Sequence, residues 1–153
     1  MGFDVMGHEP KTEKGEYFRN NVWWWRPLWS YVAKQCSDIL TEEQIKGGCF
    51  NDGVLIPRER ARAIGLRLRF LIDQKAVKKF EEEYKKSLDT IPDETCEICK
   101  GSGKRDDEHV KGECNGCEGK GKRRPWACHY PFNEENVREF ADFAIESGGF
   151  KIC

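Results

Sequence analysis

Eight cysteines stand in this chain of 153 residues, and four of them carry a spacing that can do chemistry. Cys96-Glu97-Ile98-Cys99 and Cys114-Asn115-Gly116-Cys117 are two Cys-x-x-Cys pairs with fourteen residues between them. Two thiolates so placed can reach one metal ion only if the chain turns tightly between and after them, and glycine supplies the positive φ that such turns need. Gly101 and Gly103 follow the first pair, and Gly119 and Gly121 follow the second at the same offsets, so the segment is an internal repeat of period 18. Four thiolates make the closed tetrahedral shell of a structural zinc, with metal–sulfur distances of about 2.3 Å and no position left for a catalytic water. The linker falls just below the usual range of about 15–20 residues. Binding would order a segment that has few apolar residues of its own. The expected ligands are Cys96, Cys99, Cys114 and Cys117, holding one structural zinc ion. The alternative is a pair of redox dithiols, against which the glycine repeat speaks.

The other cysteines say less. Cys128-His129 could be a spare ligand pair, but a buried thiol beside a surface imidazole is the plainer reading because the shell is already complete. Cys36, Cys49 and Cys153 read as small buried hydrophobes. There are three histidines, His8, His109 and His129. His8-Glu9 lacks the second histidine of a metalloprotease motif, and no Walker loop, GxSxG or dinucleotide fingerprint occurs. Nothing supports a nucleophile pair of Cys49 with His8 or of Cys128 with His129, so the expectation is a protein that is not an enzyme.

Two further stretches could bind. Four of the five tryptophans lie between Trp23 and Trp29, beside Arg19, Asn20, Asn21 and Arg26. Three consecutive tryptophans cannot all face one core, so at least one should reach a surface, where indole stacks on flat rings and Arg or Asn reads polar edges. The plainer reading is that Trp24, Trp25 and Trp29 fill a core poor in large aliphatics. From Arg58 to Lys79, eight positive charges face only Glu59 and Asp73, a local balance of +6. Guanidinium groups suit phosphate, but charge runs are usually solvated faces. Arg58, Arg62 and Arg69 share one flank of the helix that this stretch should form. The expected binding site lies where these arginines meet Arg19, Asn20, Asn21, Trp23 and Arg26.

The elements that would position these groups are mainly helical. Phe3-Asp4-Val5 alternates like a short strand, and residues 7–21 read as loop. Pro27 suits the first turn of a helix to about Cys36. Thr41-Glu42-Glu43-Gln44 is a capping box, and Gly47-Gly48 ends the helix it starts. Pro57 opens a long helical stretch to about Leu88. Its two apolar stripes (Ala61, Ile64, Leu68, Leu71, Ile72; then Val77, Phe80, Tyr84, Leu88) point to roughly opposite sides, so it either breaks near Asp73-Gln74 or is sandwiched. Asn133 caps a last helix with Val137, Phe140, Ala141, Ala144 and Ile145 on one face. Phe150 and Ile152 alternate like Phe3 and Val5, and the two ends are expected to pair. The predicted fold class is α+β, mainly helical, with a small terminal β-sheet and an inserted zinc-ribbon or knuckle module. The predicted organisation is a helical core over 1–92, the zinc insert over 93–124, and a helix and strand over 125–153 that complete the core.

Composition bounds the class. Lys and Arg number 26 against 27 Asp and Glu, a net charge of −1, so neither a globally basic nucleic-acid coat nor a strongly acidic mimic fits. Charged residues reach 35%, above the usual share of about 25%. No apolar run approaches the roughly 20 residues of a membrane span, and no secretory signal is visible. Met1-Gly2 opens like a myristoylation site, but Met6 stands where Ser or Thr is expected. These features lead to the expectation of a soluble, cytoplasmic protein with no membrane partner.

Two resemblances add context. Residues 96–121 resemble the cysteine-rich zinc domain of DnaJ-type chaperones, which carries four such repeats and two zinc ions where this chain has two repeats. No His-Pro-Asp tripeptide marks a J domain, so the resemblance implies zinc chelation and no chaperone activity. The chain also resembles, over almost its full length, a family of small bacteriophage and prophage proteins. The blocks that carry it are Met1 to Val5, Tyr17 to Trp29, Arg124-Pro125-Trp126 and Ser147 to Cys153. That resemblance implies a phage protein acting on its bacterial host by binding a nucleotide-like signalling ligand or a host defence protein. The alternative expectation is a nucleic-acid-binding zinc-finger protein that uses the basic helix 58–79.

Overall fold

The computed structural model describes residues 2–153; Met1, at the head of the expected N-terminal region, lies outside the described residues. In chain order the elements are β1 (Gly2–Gly7), β2 (Tyr17–Asn21), α1 (Val22–Gln35), α2 (Glu42–Gly47), β3 (Val54–Ile56), α3 (Arg58–Asp73) and α4 (Ala76–Asp89). There follow β4 (Glu94–Thr95), β5 (Lys104–Asp106), β6 (Lys111–Glu113), β7 (Lys122–Arg123), α5 (Glu134–Glu146) and β8 (Phe150–Ile152). The chain divides into two compact units, one running up to Lys85 and again from Tyr130, the other Lys86–His129.

The first unit is α+β. Its sheet is antiparallel with strand order β2-β1-β8-β3, so strands from the two ends of the chain sit side by side at its centre. Val5 stands opposite Ile152, and Gly7 opposite Phe150. The expected pairing of the ends is therefore present. Beyond β1 the backbone stays tied to the end of α5, as His8 N–H donates to Gly149 O and Glu9 N–H to Ser147 O. Period-two alternation puts Phe3, Val5, Phe18, Ile56, Phe150 and Ile152 on the buried face. There Phe18 and Phe150 meet Phe140 and Phe143 of α5.

One strand replaces expected loop, and another forms where the sequence gives no expectation. Tyr17–Asn21 is paired with β1 rather than being the end of a polar loop, because Phe18 and Asn20 point inward and the register sets Phe18 opposite Val5. Val54–Ile56 was likewise not expected as a strand; it pairs with β8 and buries Ile56.

Helix α1 begins at Val22, five residues before the expected start. The Asn21 side chain accepts the Trp24 N–H at 3.1 Å and caps it. Pro27 lies inside the helix. Trp25 and Trp29 are buried on one face, stacked at 5.5 Å and 9°, with Phe3 stacked on Trp25 at 5.2 Å. Each buried indole N–H finds a carbonyl: Trp25 Nε1 donates to Gly48 O at 2.7 Å, and Trp29 Nε1 to Ile45 O at 3.0 Å. The capping box of α2 forms as the sequence predicts.

The long helical stretch breaks. α3 ends at Asp73, and Lys75 takes φ 57° before α4 starts. The break lets both apolar stripes turn inward, with Ile64, Leu68 and Ile72 buried on α3 and Val77 buried on α4. A second aromatic cluster gathers Tyr31, Phe80 and Phe132, with ring centroids 4.8–5.2 Å apart. Cys36 is buried, and burial pushes its thiol up to about 11. Cys49 is exposed, against the expectation of a buried thiol, because it follows the C-terminal end of α2, where its Sγ reaches only Ile45 O at 3.5 Å.

Helices α3 and α5 make the most extensive helix contact. Gly65 permits the approach. A Cβ there would stand 2.6 Å from Ile145 Cγ1 and 2.7 Å from Ala141 O. Gly→Ala inside an exposed helix is worth roughly +1 kcal/mol. Here the sign should reverse, and Gly65→Ala should lose about 1–3 kcal/mol through overpacking, measured by urea denaturation.

Glu81 is a buried carboxylate with a structural task. It accepts the N–H of Glu134 at 2.9 Å, at the start of α5, and also Lys85 at 2.6 Å and Lys78 at 3.3 Å. Burial opposes its charge, but Lys85, the Glu134 N–H and Lys78 outweigh burial and hold the carboxyl below its ordinary value. A depressed folded value means stability that is present above the unfolded value of about 4.3 and lost as pH falls through the folded one. Glu81→Ala should cost about 1–3 kcal/mol at neutral pH by stranding that N–H. The gap to the parent should close in acid, as read from denaturation curves across pH.

Candidate metal centre

The second unit is built on its repeat. β4 pairs with β7 and β5 with β6, and a shift of 18 residues carries β4 onto β6 and β5 onto β7. The hydrogen bonds follow the same rule. Cys96 N–H donates to Gly121 O and Cys114 N–H to Gly103 O, each at 2.9 Å, so each repeat closes on the other. Within each repeat Gly101 N–H reaches Cys96 O and Gly119 N–H reaches Cys114 O, both at 3.2 Å. The two halves are related by a local pseudo-twofold. Gly103 and Gly121 take φ of 73° and 71° and lie against the backbone of Gly119 and Gly101. A side chain there would meet both a strained φ and a neighbouring carbonyl.

This geometry brings Cys96, Cys99, Cys114 and Cys117 together. Their sulfurs all lie within 4.8 Å of one another, and all four residues are buried. Cys96 and Cys114 Sγ are 4.0 Å apart, and Cys99 and Cys117 Sγ 3.6 Å apart. Sulfurs about 2.3 Å from a tetrahedral ion stand about 3.8 Å from each other. The observed pairs bracket that value, so the donor set fits a structural metal ion and a zinc module.

Backbone N–H groups complete the surroundings. Gly103 N–H points at Cys99 Sγ at 3.3 Å, and Gly121 N–H at Cys117 Sγ at 3.2 Å. Burial opposes a charged Cys99, but the Gly103 N–H, the Cys117 thiol, the Gly101 N–H and the Cys96 thiol together outweigh it and draw its thiol down to about 6. Burial and the neighbouring sulfurs push Cys117 up to about 11. The donors to sulfur are the glycines of the repeat, so the motif that marks the ligands also marks what orients them.

Cys128 and His129 turn to different neighbours. Cys128 Sγ faces Leu88 O at 3.9 Å, and the His129 ring lies 5.6 Å from Trp126.

The residues expected to form a binding site are spread over several clefts. Arg19 is exposed on β2 and pairs with Asp4 at 3.6 Å. Asn20 points inward and exchanges two hydrogen bonds with Asn136, at 3.0 and 2.9 Å. Asn21 caps α1. Arg19, Asn20, Asn21 and Trp24 line one cleft of about 350 Å³, with Glu135 and Glu139 on its other wall. Trp23 lies on the Tyr130 ring at 5.0 Å, and the Arg26 guanidinium sits 5.9 Å above the same ring.

The α3 arginines stand elsewhere. Arg58 pairs with Glu9 in a cleft with His8 and Gly149. Arg69 pairs with Asp142 in a cleft with Thr12 and Lys14. Arg62 is exposed and makes no ion pair among the described residues. The structure thus unites Arg19, Asn20 and Asn21 with Trp24, and Trp23 with Arg26, but lines the clefts of Arg58 and Arg69 with other neighbours.

The sequence reading passed over a basic and aromatic wall beside the second knuckle, from Lys120 to His129. Its signal is Lys122-Arg123-Arg124 followed, after Pro125, by Trp126.

The chain matches no known family model, no curated protein and no solved structure. Among the described residues no helix is long and apolar enough to cross a membrane.

Replacing one ligand should leave three donors and open the shell. Cys96→Ser or Cys117→Ser should therefore take bound metal from one ion per chain to near none. Amide exchange should quicken over 94–123 while the first unit, with its own core, keeps its protection. Metal analysis and hydrogen exchange on the same samples check both parts.

Proposed function

We propose that this is a non-catalytic binding protein stabilised by one structural zinc ion. The observation that carries the reading is the group of four buried cysteines whose sulfurs all lie within 4.8 Å of one another. Soft thiolate donors in tetrahedral array favour zinc among the common divalent ions. A closed four-sulfur shell has no place for a reactive water, which supports a structural role for the ion. The separate partners of Cys128 and His129 support the same conclusion, since they give that pair no shared nucleophile geometry.

The surface proposed for binding in the first unit is the start of α1 and its surroundings: Arg19, Asn21, Trp23, Trp24 and Arg26. Half-buried indoles beside exposed guanidinium groups suit a flat-ringed, phosphorylated ligand such as a nucleotide signal, or an acidic surface of a host protein. A bacterial cytoplasm and a phage origin are proposed from the sequence resemblance alone. The basic helix ranks second as a nucleic-acid surface. Arg58, Arg67 and Arg69 are engaged by Glu9, Asp38 and Asp142, which lowers the charge available to phosphate.

Native mass spectrometry of the full chain, purified without chelator from bacterial cells, tests this. The expected result is a mass excess of one zinc per chain. Arg19→Ala with Arg26→Ala should strip any nucleotide-sized adduct and leave the zinc. A folded chain that carries no metal would overturn the proposal.

A further inference from the structure

We propose that the cleft beside the second knuckle binds single-stranded nucleic acid. The inference rests on the zinc reading, since Cys117 lies in the wall of this cleft. The cleft holds about 360 Å³, and its wall includes Lys120, Lys122, Arg123, Arg124, Trp126 and His129. All of these belong to the unit Lys86–His129.

Charge placement is the first argument. Over residues 86–129 there are nine Lys and Arg against nine Asp and Glu, so the unit as a whole is neutral. Yet four of the nine cations fall within 120–124 and line one cleft, with Asp93 and Glu118 as the only carboxylates there. The fold gathers them: Gly119 and Gly121, at φ 76° and 71°, turn the chain, and β7 then presents Lys122 and Arg123 in extended backbone.

The cations differ in how they are engaged. Arg124 donates to Leu88 O at 2.9 Å and Ile91 O at 2.8 Å, so it builds the wall. Lys120 meets Glu118 at 3.3 Å, with both side chains more than 70% exposed. Arg123 meets Glu97 at 3.6 Å, and Glu97 is 85% exposed. The Lys120 pair, open on both sides, contributes little and yields readily to phosphate, whereas Arg123 is 25% exposed and only its partner is open to water. Lys122 makes no ion pair among the described residues. Lys120, Lys122 and Arg123 are therefore three cations set along one short stretch, a spacing that suits successive phosphates of a chain better than one isolated phosphate.

The second argument is the aromatic plate. Trp126 is 61% exposed, and its ring makes a tilted pair with His129 at 5.6 Å. An exposed indole beside a row of cations is the arrangement on which an unstacked base rests while its phosphates meet Lys and Arg. Bases inside a duplex are already stacked on each other, so the plate selects single strands.

The test uses the full chain with its zinc and a fluorescein-labelled twelve-nucleotide oligothymidylate, followed by anisotropy. Binding should weaken with salt, with a slope of log K against log salt of about −2 for three phosphate contacts on a single strand. Trp126→Ala should weaken binding about 5- to 150-fold at unchanged zinc content, and Trp126→Phe should recover most of the loss. Lys120→Ala with Lys122→Ala should reduce the steepness of the slope by more than one unit. A chain that carries one zinc and does not bind the oligonucleotide at about 50 mM salt would overturn this inference and leave the zinc reading standing. A chain without zinc would overturn both. Equal affinity for ATP would make this a mononucleotide site, and equal affinity for a duplex would remove the stacking argument; either result overturns the inference.

Discussion

Between Lys86 and His129 the chain has no oily interior. The buried cluster of this unit consists of four cysteines, and Ile98, an apolar side chain between two of them, is about half exposed. Four thiols cannot supply the apolar area that orders a segment of this length. What can order it is metal–thiolate bonding, whose binding free energy is folding free energy where no preformed site exists. The rest of the unit is arranged around that constraint. Its strands are two or three residues long, too short to hold themselves together. Gly101, Gly103, Gly119 and Gly121 take the positive φ that its tight turns need and glycine adopts without strain.

The repeat explains why so short a segment can close a four-donor shell. One Cys-x-x-Cys-x-Gly-x-Gly unit provides two sulfurs and two positive-φ turns, but it leaves its first cysteine N–H without a partner of its own. The second unit provides that partner at Gly121 O, and the first returns the bond at Gly103 O. Each half is incomplete alone, so the four sulfurs come together only when the two halves pair. The pseudo-twofold is broken outside the loops. After the first repeat come Arg105 and Asp107, joined at 2.6 Å in a turn closed by Val110. After the second come Arg123, Arg124 and Trp126. The same backbone thus ends in two different surfaces, one self-paired and one cationic and aromatic.

Legibility followed the range of the interactions. The four ligands, the capping box at Thr41, the cap at Asn133 and the pairing of the ends were readable because each rests on residue types at fixed local offsets. The start of α1 was misplaced because Pro27 is a strong local signal, whereas the Asn21 cap draws its force from the helix it opens. Strands β2 and β3 were missed because each is short and flanked by polar residues, and their reason for being extended lies in β1 and β8, far along the chain. The long helical stretch reads as broken or sandwiched, and only packing decides: after the left-handed Lys75, Val77, Phe80 and Tyr84 face the first unit's core.

The two basic stretches show why a run of charge in a sequence is not yet a charged surface. Between Arg58 and Lys79 the arginines lie on a helix packed against α5 and near the α1–α2 connection, and carboxylates from those elements reach them: Asp142 for Arg69, Asp38 for Arg67. Arg67 also donates to Gln35 O at 2.7 Å, which makes it a tie between helices. The fold engages part of that charge because the helix has neighbours on several sides. Between Lys120 and Arg124 the chain is a loop and a two-residue strand with one pairing partner. Fewer elements surround it, so fewer carboxylates can be brought to it, and those that arrive are themselves exposed to water. The shorter run keeps Lys120 and Lys122 exposed in one cleft, next to the one tryptophan among the described residues that is largely exposed.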